Sequence, residues 1–162
     1  MKIGVLADTH IPITQNDLPQ AVYKGLEGVD MIMHAGDLVE LSVIDKLSAI
    51  APVRAVYGNM DNDVVRSRLP SKDIIKAGGL SIGLIHGWGH PNDLAGLIKS
   101  EFAHIKIDAI VFGHSHMPMA QFRNGLLFFN PGSPTDKIFA PYNSYGILEI
   151  ENGKLTPNII KI

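Results

Sequence analysis

Short polar motifs of aspartate, asparagine, histidine and glycine recur through the first two thirds of the chain, each after a short apolar run. Together they supply seven side chains that can bind metal: Asp8, His10, Asp37, Asn59, His86, His114 and His116. Nitrogen and oxygen donors without sulfur favour Mn, Fe, Zn, Ni or Co over Ca or Mg. Seven donors are too many for one tetrahedral ion, but they suit two ions that share a carboxylate and leave positions open for water and substrate. The pattern predicts a two-metal centre.

The spacing within the motifs gives a mechanical reason for their convergence. Side chains two residues apart on extended backbone point the same way, so Asp8 and His10 are expected to face one crevice, as are His114 and His116. A glycine precedes three of the seven residues and lets the backbone turn sharply where a strand ends. Each fragment alone is an ordinary turn sequence. The prediction therefore depends on all of them occurring together, in this order.

The elements that must position these motifs alternate in the first third of the chain. Residues 2–7, 31–34 and 53–57 form apolar runs typical of strands. The segments between these runs have apolar residues at helical spacing, and Asn16 or Asp17 is the expected cap of the first helix. A βαβαβ order predicts a parallel, right-handed start to a sheet. Ligands of α/β sheets bind beyond the carboxyl ends of the strands, which is where the motifs fall.

The second half of the chain has a different pattern. Residues 78–79, 124–125 and 152–153 are Gly-Gly or Asn-Gly pairs between apolar runs, and such pairs are typical of hairpin turns. One helix is expected to begin near Asn92, because apolar residues follow it at helical spacing. A parallel start followed by hairpins predicts an α/β architecture in which helices cover mixed sheets.

Composition and charge exclude several classes of protein. The 162 residues are 46% hydrophobic and 19% charged, with a formal net charge of −2, which excludes a disordered chain and disfavours a nucleic-acid binder. The absence of cysteine excludes disulfides, thiolate zinc sites and cysteine nucleophiles. No repeat or linker divides the sequence, so a single domain over 1–162 is expected. Without a signal-peptide pattern or a membrane-spanning apolar run, a cytoplasmic protein is expected.

The ordered motifs resemble those of the calcineurin-like metallophosphoesterases: Asp-x-His, Gly-Asp, Gly-Asn-His-Asp, a lone His and Gly-His-x-His. The resemblance spans residues 8–116. The short chain and the Asn-Pro-Gly-Ser segment at 130–133 are similar to the small single-domain phosphodiesterase branch of that family. Membership implies a four-layer αββα sandwich, with two mixed sheets between helices and a dimetal site at the sheet edge.

The resemblance also implies a role for each motif residue. One ion would bind Asp8, His10, Asp37 and His116, and the other would bind Asp37, Asn59, His86 and His114. A hydroxide held between the ions would attack phosphorus, with Asn59 and Asp61 as the candidate catalytic residues around it. Asp61 would orient a ligand or a site histidine without binding metal. Mn²⁺ is the expected metal, with Ni²⁺, Zn²⁺, Fe²⁺ and Mg²⁺ as alternatives, and no residue is assigned to substrate binding.

One position departs from the family pattern. The histidine expected between Asn59 and Asp61 is Met60 in this chain. In the family that histidine helps to stabilise or protonate the leaving group, and methionine cannot donate a proton. Because every metal position is present, the change bears on rate and substrate preference rather than on ion binding.

The resemblance favours a small phosphodiester as substrate, with a phosphomonoesterase or nucleotidase as the alternative. A protein-interaction scaffold like the one this fold forms in retromer is the alternative outside enzymology. A homodimer is compatible with the branch, although no apolar repeat marks an interface. Four basic residues after the Asn59 motif are expected to form a solvated face: Arg66, Arg68, Lys72 and Lys76.

Overall fold

The computed structural model describes residues 1–162 and contains ten strands and four helices. The strands are β1 (Lys2–Leu6), β2 (Met31–His34), β3 (Val53–Ala55), β4 (Lys72–Ala77), β5 (Leu80–Ile85), β6 (Ala109–Val111), β7 (Met119–Arg123), β8 (Leu126–Asn130), β9 (Ser144–Glu151) and β10 (Lys154–Lys161). The helices are α1 (Gln20–Gly25), α2 (Ser42–Ser48), α3 (Asp63–Arg68) and α4 (Pro91–Ser100). None of these helices has the length and apolar character needed to cross a membrane.

The strands form two mixed five-stranded sheets, ordered β10-β9-β1-β2-β3 and β4-β5-β6-β8-β7. In the first sheet β1 pairs in parallel with β2, and β2 with β3, which confirms the predicted parallel start. In the second sheet β6 runs parallel to both β5 and β8. All three predicted hairpins are present, joining β4 to β5, β7 to β8 and β9 to β10.

Three layers of buried apolar side chains hold the sheets and helices together. Residues of both sheets, such as Ile3 and Val111, pack against one another between the sheets. Val22 and Leu47 of α1 and α2 cover the outer face of the first sheet. Ile98 of α4 covers the outer face of the second. The result is the predicted αββα sandwich, because each sheet buries one face against its partner and the other against helices.

Two local expectations were wrong or incomplete. Neither Asn16 nor Asp17 caps α1, which begins after Pro19 without a side-chain cap. Asp17 instead accepts hydrogen bonds from the Leu18 backbone amide and the Tyr23 hydroxyl, at 2.8 and 2.6 Å. Helix α3 was not predicted, because its six residues bury one side chain and show little apolar periodicity.

Candidate metal centre

The motifs after five strands meet where the carboxyl ends of the two sheets come together. Asp8 and His10 follow β1, Asp37 follows β2, and Asn59 follows β3. His86 follows β5 and the Gly-His-Ser-His motif follows β6, so both sheets contribute. The seven predicted residues, hereafter the ligand set, are joined by contacts of 3.0 to 3.8 Å. Whether they bind metal stays a prediction.

One part of the ligand set groups Asp8, His10 and His116 closely enough to hold an ion. The Nε2 atoms of His10 and His116 are 3.3 Å apart. His116 Nε2 is also 3.5 Å from Asp8 Oδ1. Two imidazole nitrogens and a carboxylate oxygen converging in this way match the donors that transition metals select.

A second group contains Asp8, Asp37 and His86. His86 Nε2 is 3.3 Å from Asp37 Oδ2, and the same Asp37 oxygen is 3.8 Å from His10 Nε2. Asp37 therefore reaches residues of both predicted ion sites, as a bridging carboxylate must. Asp8 also belongs to both groups, which the sequence did not suggest.

Asn59 connects the remaining histidine to the second group. Its Oδ1 is 3.1 Å from His86 Nε2 and 3.0 Å from His114 Nδ1. The outer ring nitrogens of these histidines are held by backbone carbonyls, since His86 Nδ1 donates to Ala35 at 2.8 Å and His114 Nε2 to Gly89 at 3.0 Å. These bonds orient both rings so that their inner nitrogens face Asn59 and the rest of the ligand set.

A buried carboxylate oxygen tests whether the ligand set fits a cation. Asp8 is fully buried, and its Oδ2 has no hydrogen-bond partner. Burial raises the pKa of Asp8 to about 6, although His86 and His116 partly oppose the shift. A buried carboxylate oxygen without a partner is unfavourable unless a cation compensates it. The residues therefore fit a divalent ion beside Asp8.

The backbone conformation at the ligand set corrects one expectation. The pairs Asp8 with His10 and His114 with His116 were expected on extended backbone, but φ is positive at all four, between 44° and 68°. Asp37 is also left-handed, with a φ of 57°. Such conformations cost about 1–3 kcal/mol each for non-glycine residues and cluster at functional sites. The side chains converge through left-handed turns rather than strand alternation.

Glycines at this edge provide room as well as turns. A Cβ atom at position 58 would clash with Asp37 Oδ1, and one at position 113 would lie 2.8 Å from Asp8 Oδ2. Gly58 and Gly113 therefore allow backbone to approach the two central carboxylates closely.

Asp61 and Arg66 hold the loops around the centre. Asp61 accepts hydrogen bonds from the backbone amides of Asp37 at 2.9 Å and Gly58 at 2.7 Å. It makes no hydrogen bond to a site histidine, so it acts on the backbone that carries Asp37. Arg66 donates to the carbonyls of Gly58 and Asn59 at 2.9 and 3.0 Å. All four basic residues are exposed, as expected, and Arg66 in addition braces the loop that carries Asn59.

Sequence reasoning missed Asp136. His116 Nδ1 donates to Asp136 Oδ2 at 2.6 Å, which leaves His116 Nε2 directed at Asp8. Asp136 also accepts hydrogen bonds from the backbone amides of residues 138–140. The pKa of Asp136 is lowered, because these bonds outweigh the effect of burial. Nothing in the sequence distinguishes Asp136 from a surface residue, since it lies outside all five motifs.

Replacing Asp136 with asparagine should weaken metal binding by about 10- to 100-fold, because loss of an outer carboxylate partner lowers the basicity and order of a ligating histidine. Competition with a chelating dye measures the affinity. Asp108→Asn is the matched control. Asp108 also accepts a hydrogen bond from a backbone amide, that of Ser81, but it precedes β6, whereas the metal motif follows that strand. Equal affinities in the wild type and Asp136→Asn would show that Asp136 does not support the centre.

The pKa of His86 would make metal binding at this site depend on pH. Burial alone would lower this pKa, but the hydrogen bond to Asp37 and the charges of Asp8 and Asp37 outweigh burial and raise it to about 9. In the metal-free protein at about pH 7.5 the His86 ring is therefore cationic, with both ring nitrogens protonated. Metal ligation requires the neutral ring, so binding must release one of these protons.

We accordingly expect metal loading at about pH 7.5 to release about one proton from His86 and up to one more from water ionised by the ions. The apparent affinity should rise about tenfold per pH unit between about pH 7 and 8.5 and level off above about 9. Calorimetry in buffers of different ionisation enthalpy measures the released protons. An observed binding enthalpy that does not change with the buffer, or an affinity that does not change with pH, would contradict the assignment of His86 as a ligand.

Two cavities flank the ligand set. One, of about 320 Å³ and here called the Met60 cavity, is lined by His10, Asp37, Asn59 and His116 and by apolar side chains, among them Met60 and Phe139. The other, of about 250 Å³ and here called the Trp88 cavity, is lined by Asn59 and His86 together with Trp88 and Arg66. Asn59 borders both cavities, so a group bound at the centre has space on two sides.

Comparison with known proteins agrees with this geometry. The model of the calcineurin-like phosphoesterase superfamily domain matches residues 1–153. The chain belongs to this superfamily. A probable metallophosphoesterase of Methanothermobacter thermautotrophicus is 34% identical over 166 positions, covering 99% of this chain and 92% of that protein. A phosphodiesterase of Methanocaldococcus jannaschii is 28% identical over 144 positions, covering 82% of this chain and 83% of that protein.

Solved structures also share the fold of this chain. Vps29 of Chaetomium thermophilum is 23% identical and superposes with a TM-score of 0.82, covering 100% of this chain and 97% of that one. At this level of identity the likeness shows the shared sandwich fold alone. Family membership and the candidate ligand residues together support a metal-binding phosphoesterase.

Proposed function

We propose that this protein is a phosphodiesterase that works with two divalent metal ions, Mn²⁺ being the leading candidate. The observation that carries the proposal is the convergence of the ligand set around the buried, unpaired Asp8 carboxylate oxygen. Asp8, His10, Asp37 and His116 would hold one ion. Asp37, Asn59, His86 and His114 would hold the other.

The ions, when bound, would supply the Lewis acidity that activates water and neutralises charge on the phosphoryl group. The chain's own residues keep the donors in place. Carbonyls of Ala35 and Gly89 orient His86 and His114, and Asp136 orients His116. Because the donors are fixed before substrate arrives, little reorganisation is needed during the reaction.

Two findings support a diester over a monoester. The Methanocaldococcus jannaschii relative is a phosphodiesterase. In addition, cavities border Asn59 on both sides, so both substituents of a diester have space beside the centre. A phosphomonoesterase or nucleotidase needs space for one substituent only. The proposed partner is accordingly a small phosphodiester, and the proposed location is the cytoplasm.

The likeness to Vps29 favours a protein-interaction scaffold as the second candidate. A scaffold does not need an intact set of metal donors. Here all seven members of the ligand set are present and in contact, which supports the enzyme over the scaffold.

A panel of phosphate mono- and diesters tests the proposal. Metal-stripped protein should be inactive, and reconstitution with Mn²⁺ should restore hydrolysis of diesters such as bis-p-nitrophenyl phosphate more than of p-nitrophenyl phosphate. Ni²⁺, Zn²⁺ and Mg²⁺ are tested in parallel. Faster hydrolysis of monoesters would favour the monoesterase, and no rescue by any ion would favour the scaffold.

A further inference from the structure

An apolar wall stands beside the ligand set with its side chains exposed to solvent. Ile138 and Phe139 are 81% and 70% exposed, and Met60 is 50% exposed. With Ile13 they form the apolar side of the Met60 cavity. Large apolar side chains grouped in this way at a protein surface mark a binding site more often than chance exposure does.

The Met60 cavity offers few free polar groups apart from the ligand set. The Thr14 hydroxyl is directed at the backbone carbonyls of Thr9 and His10, at 3.2 and 3.3 Å. The Asp136 carboxylate is already hydrogen-bonded to His116 and to backbone amides. The wall is therefore suited to apolar surface and has little with which to recognise a hydroxyl or an amine.

The segment that carries Ile138 and Phe139 is held in place before any ligand binds. Asp136 accepts hydrogen bonds from the amides of Ile138 at 2.8 Å and Phe139 at 3.0 Å. The Phe139 ring meets the His116 ring edge to face, with centroids 5.9 Å apart. The same carboxylate thus fixes a member of the ligand set and the apolar wall, so their relative position is set by the fold.

We propose that the Met60 cavity binds an apolar ester group of the substrate, aromatic or aliphatic, so that the preferred substrates are phosphodiesters with at least one nonpolar substituent. This inference rests on the proposed function. With a phosphoryl group at the ligand set, one of the two ester groups can lie against Met60 and Phe139, because both groups of residues line one cavity.

A small substituent fits this surface better than a protein partner does. The cavity of about 320 Å³ lies in the size range of small-molecule sites. Four of its ten lining residues belong to the ligand set. A stable protein interface buries about 1,200 Å² or more and needs a wider apolar patch.

Binding of diesters with poor leaving groups, measured before they are appreciably hydrolysed, tests the inference. Dimethyl, dibutyl and diphenyl phosphate are titrated by calorimetry into Mn²⁺-loaded protein and used as competitive inhibitors of bis-p-nitrophenyl phosphate hydrolysis. Diphenyl phosphate should bind about 10- to 50-fold more tightly than dimethyl phosphate, because each 50 Å² or so of apolar surface removed from water gives about a tenfold gain in affinity. In Ile138→Ser/Phe139→Ser the ratio should fall to about threefold or less.

A matched control and two other outcomes make the test decisive. Phe122→Ser removes an exposed aromatic ring on β7, outside the Met60 cavity, and should keep the wild-type ratio. Equal binding of dimethyl and diphenyl phosphate by an active diesterase would overturn the inference and leave the proposed function intact, whereas failure of the proposed function would show as no diester hydrolysis with any ion. Dimerisation that Phe139→Ser abolishes while the affinity ratio persists would assign the wall to a second copy of the chain and also overturn the inference.

Discussion

Asp37→Ala should remove most of both ions from the protein and lower diester hydrolysis by at least about 10³-fold. Asp37 Oδ2 faces His86 Nε2 at 3.3 Å and His10 Nε2 at 3.8 Å, so one carboxylate serves both predicted ion sites. Loss of a bridging charge weakens the binding of both ions. The electrostatic stabilisation that the ions supply to the transition state, worth several kcal/mol, is lost with them. Elemental analysis of the purified variant measures the ions bound per chain.

Two variants control this experiment. Asn59→Ala removes one neutral donor and should retain more metal than Asp37→Ala. Asp37→Asn keeps an oxygen that can accept the 2.7 Å hydrogen bond from the Met60 amide, so the loop should remain folded while the charge is lost. It should lose metal nearly as completely as the alanine variant. Two ions per chain in Asp37→Ala would place the bridge elsewhere, with Asp8 as the next candidate because it belongs to both donor groups.

Met60→His should accelerate the hydrolysis of diesters with poor leaving groups by about 10²- to 10⁴-fold and leave activated aryl diesters nearly unchanged. A positioned general acid contributes about 3 to 5 kcal/mol when the leaving oxygen needs a proton, and almost nothing when it does not. Met60 lines the Met60 cavity beside Asn59 and Asp37, so an imidazole there has access to the centre. Rates are measured across diesters graded by leaving-group pKa, at matched metal content.

The plot of log rate against leaving-group pKa should be steep in the wild type and shallower in Met60→His. Met60→Leu is the control and should keep the wild-type slope, because leucine cannot donate a proton either. His90 does not line either cavity at the centre and caps α4 by accepting a hydrogen bond from the Asn92 amide at 3.3 Å. Equal slopes in the wild type and Met60→His, with the new imidazole shown to be in place, would mean that leaving-group assistance was not lost at position 60.

The sequence predicted most of the fold because its strands and turns carry strong local signals. Residues 31–34 form β2 with the predicted bounds, and Asn124 and Asn152 adopt the positive φ that their hairpins require. Signals at helix starts were weaker. Asp17 accepts hydrogen bonds from Tyr23 of α1 and from Lys46 of α2 instead of capping α1. Helix α3 was too short to show a period.

The membership of the ligand set could be predicted, but its supporting contacts could not. The residue types and their positions at strand ends were sufficient to predict that the seven side chains lie close together. The left-handed backbone at Asp8 and His10 reverses the assumed geometry, and no local pattern encodes it. Asp136 reaches His116 across 20 positions of sequence through a turn, and Arg66 braces a loop that its charge alone did not indicate.

The most direct test of the dinuclear phosphodiesterase is a titration of metal-stripped protein with Mn²⁺, in which the rate of bis-p-nitrophenyl phosphate hydrolysis is plotted against Mn²⁺ bound per chain. If two ions act together across Asp37, little activity should appear up to about one equivalent, and the rate should reach its plateau near two. A full rate at one bound equivalent, or no hydrolysis at any loading, would contradict the account.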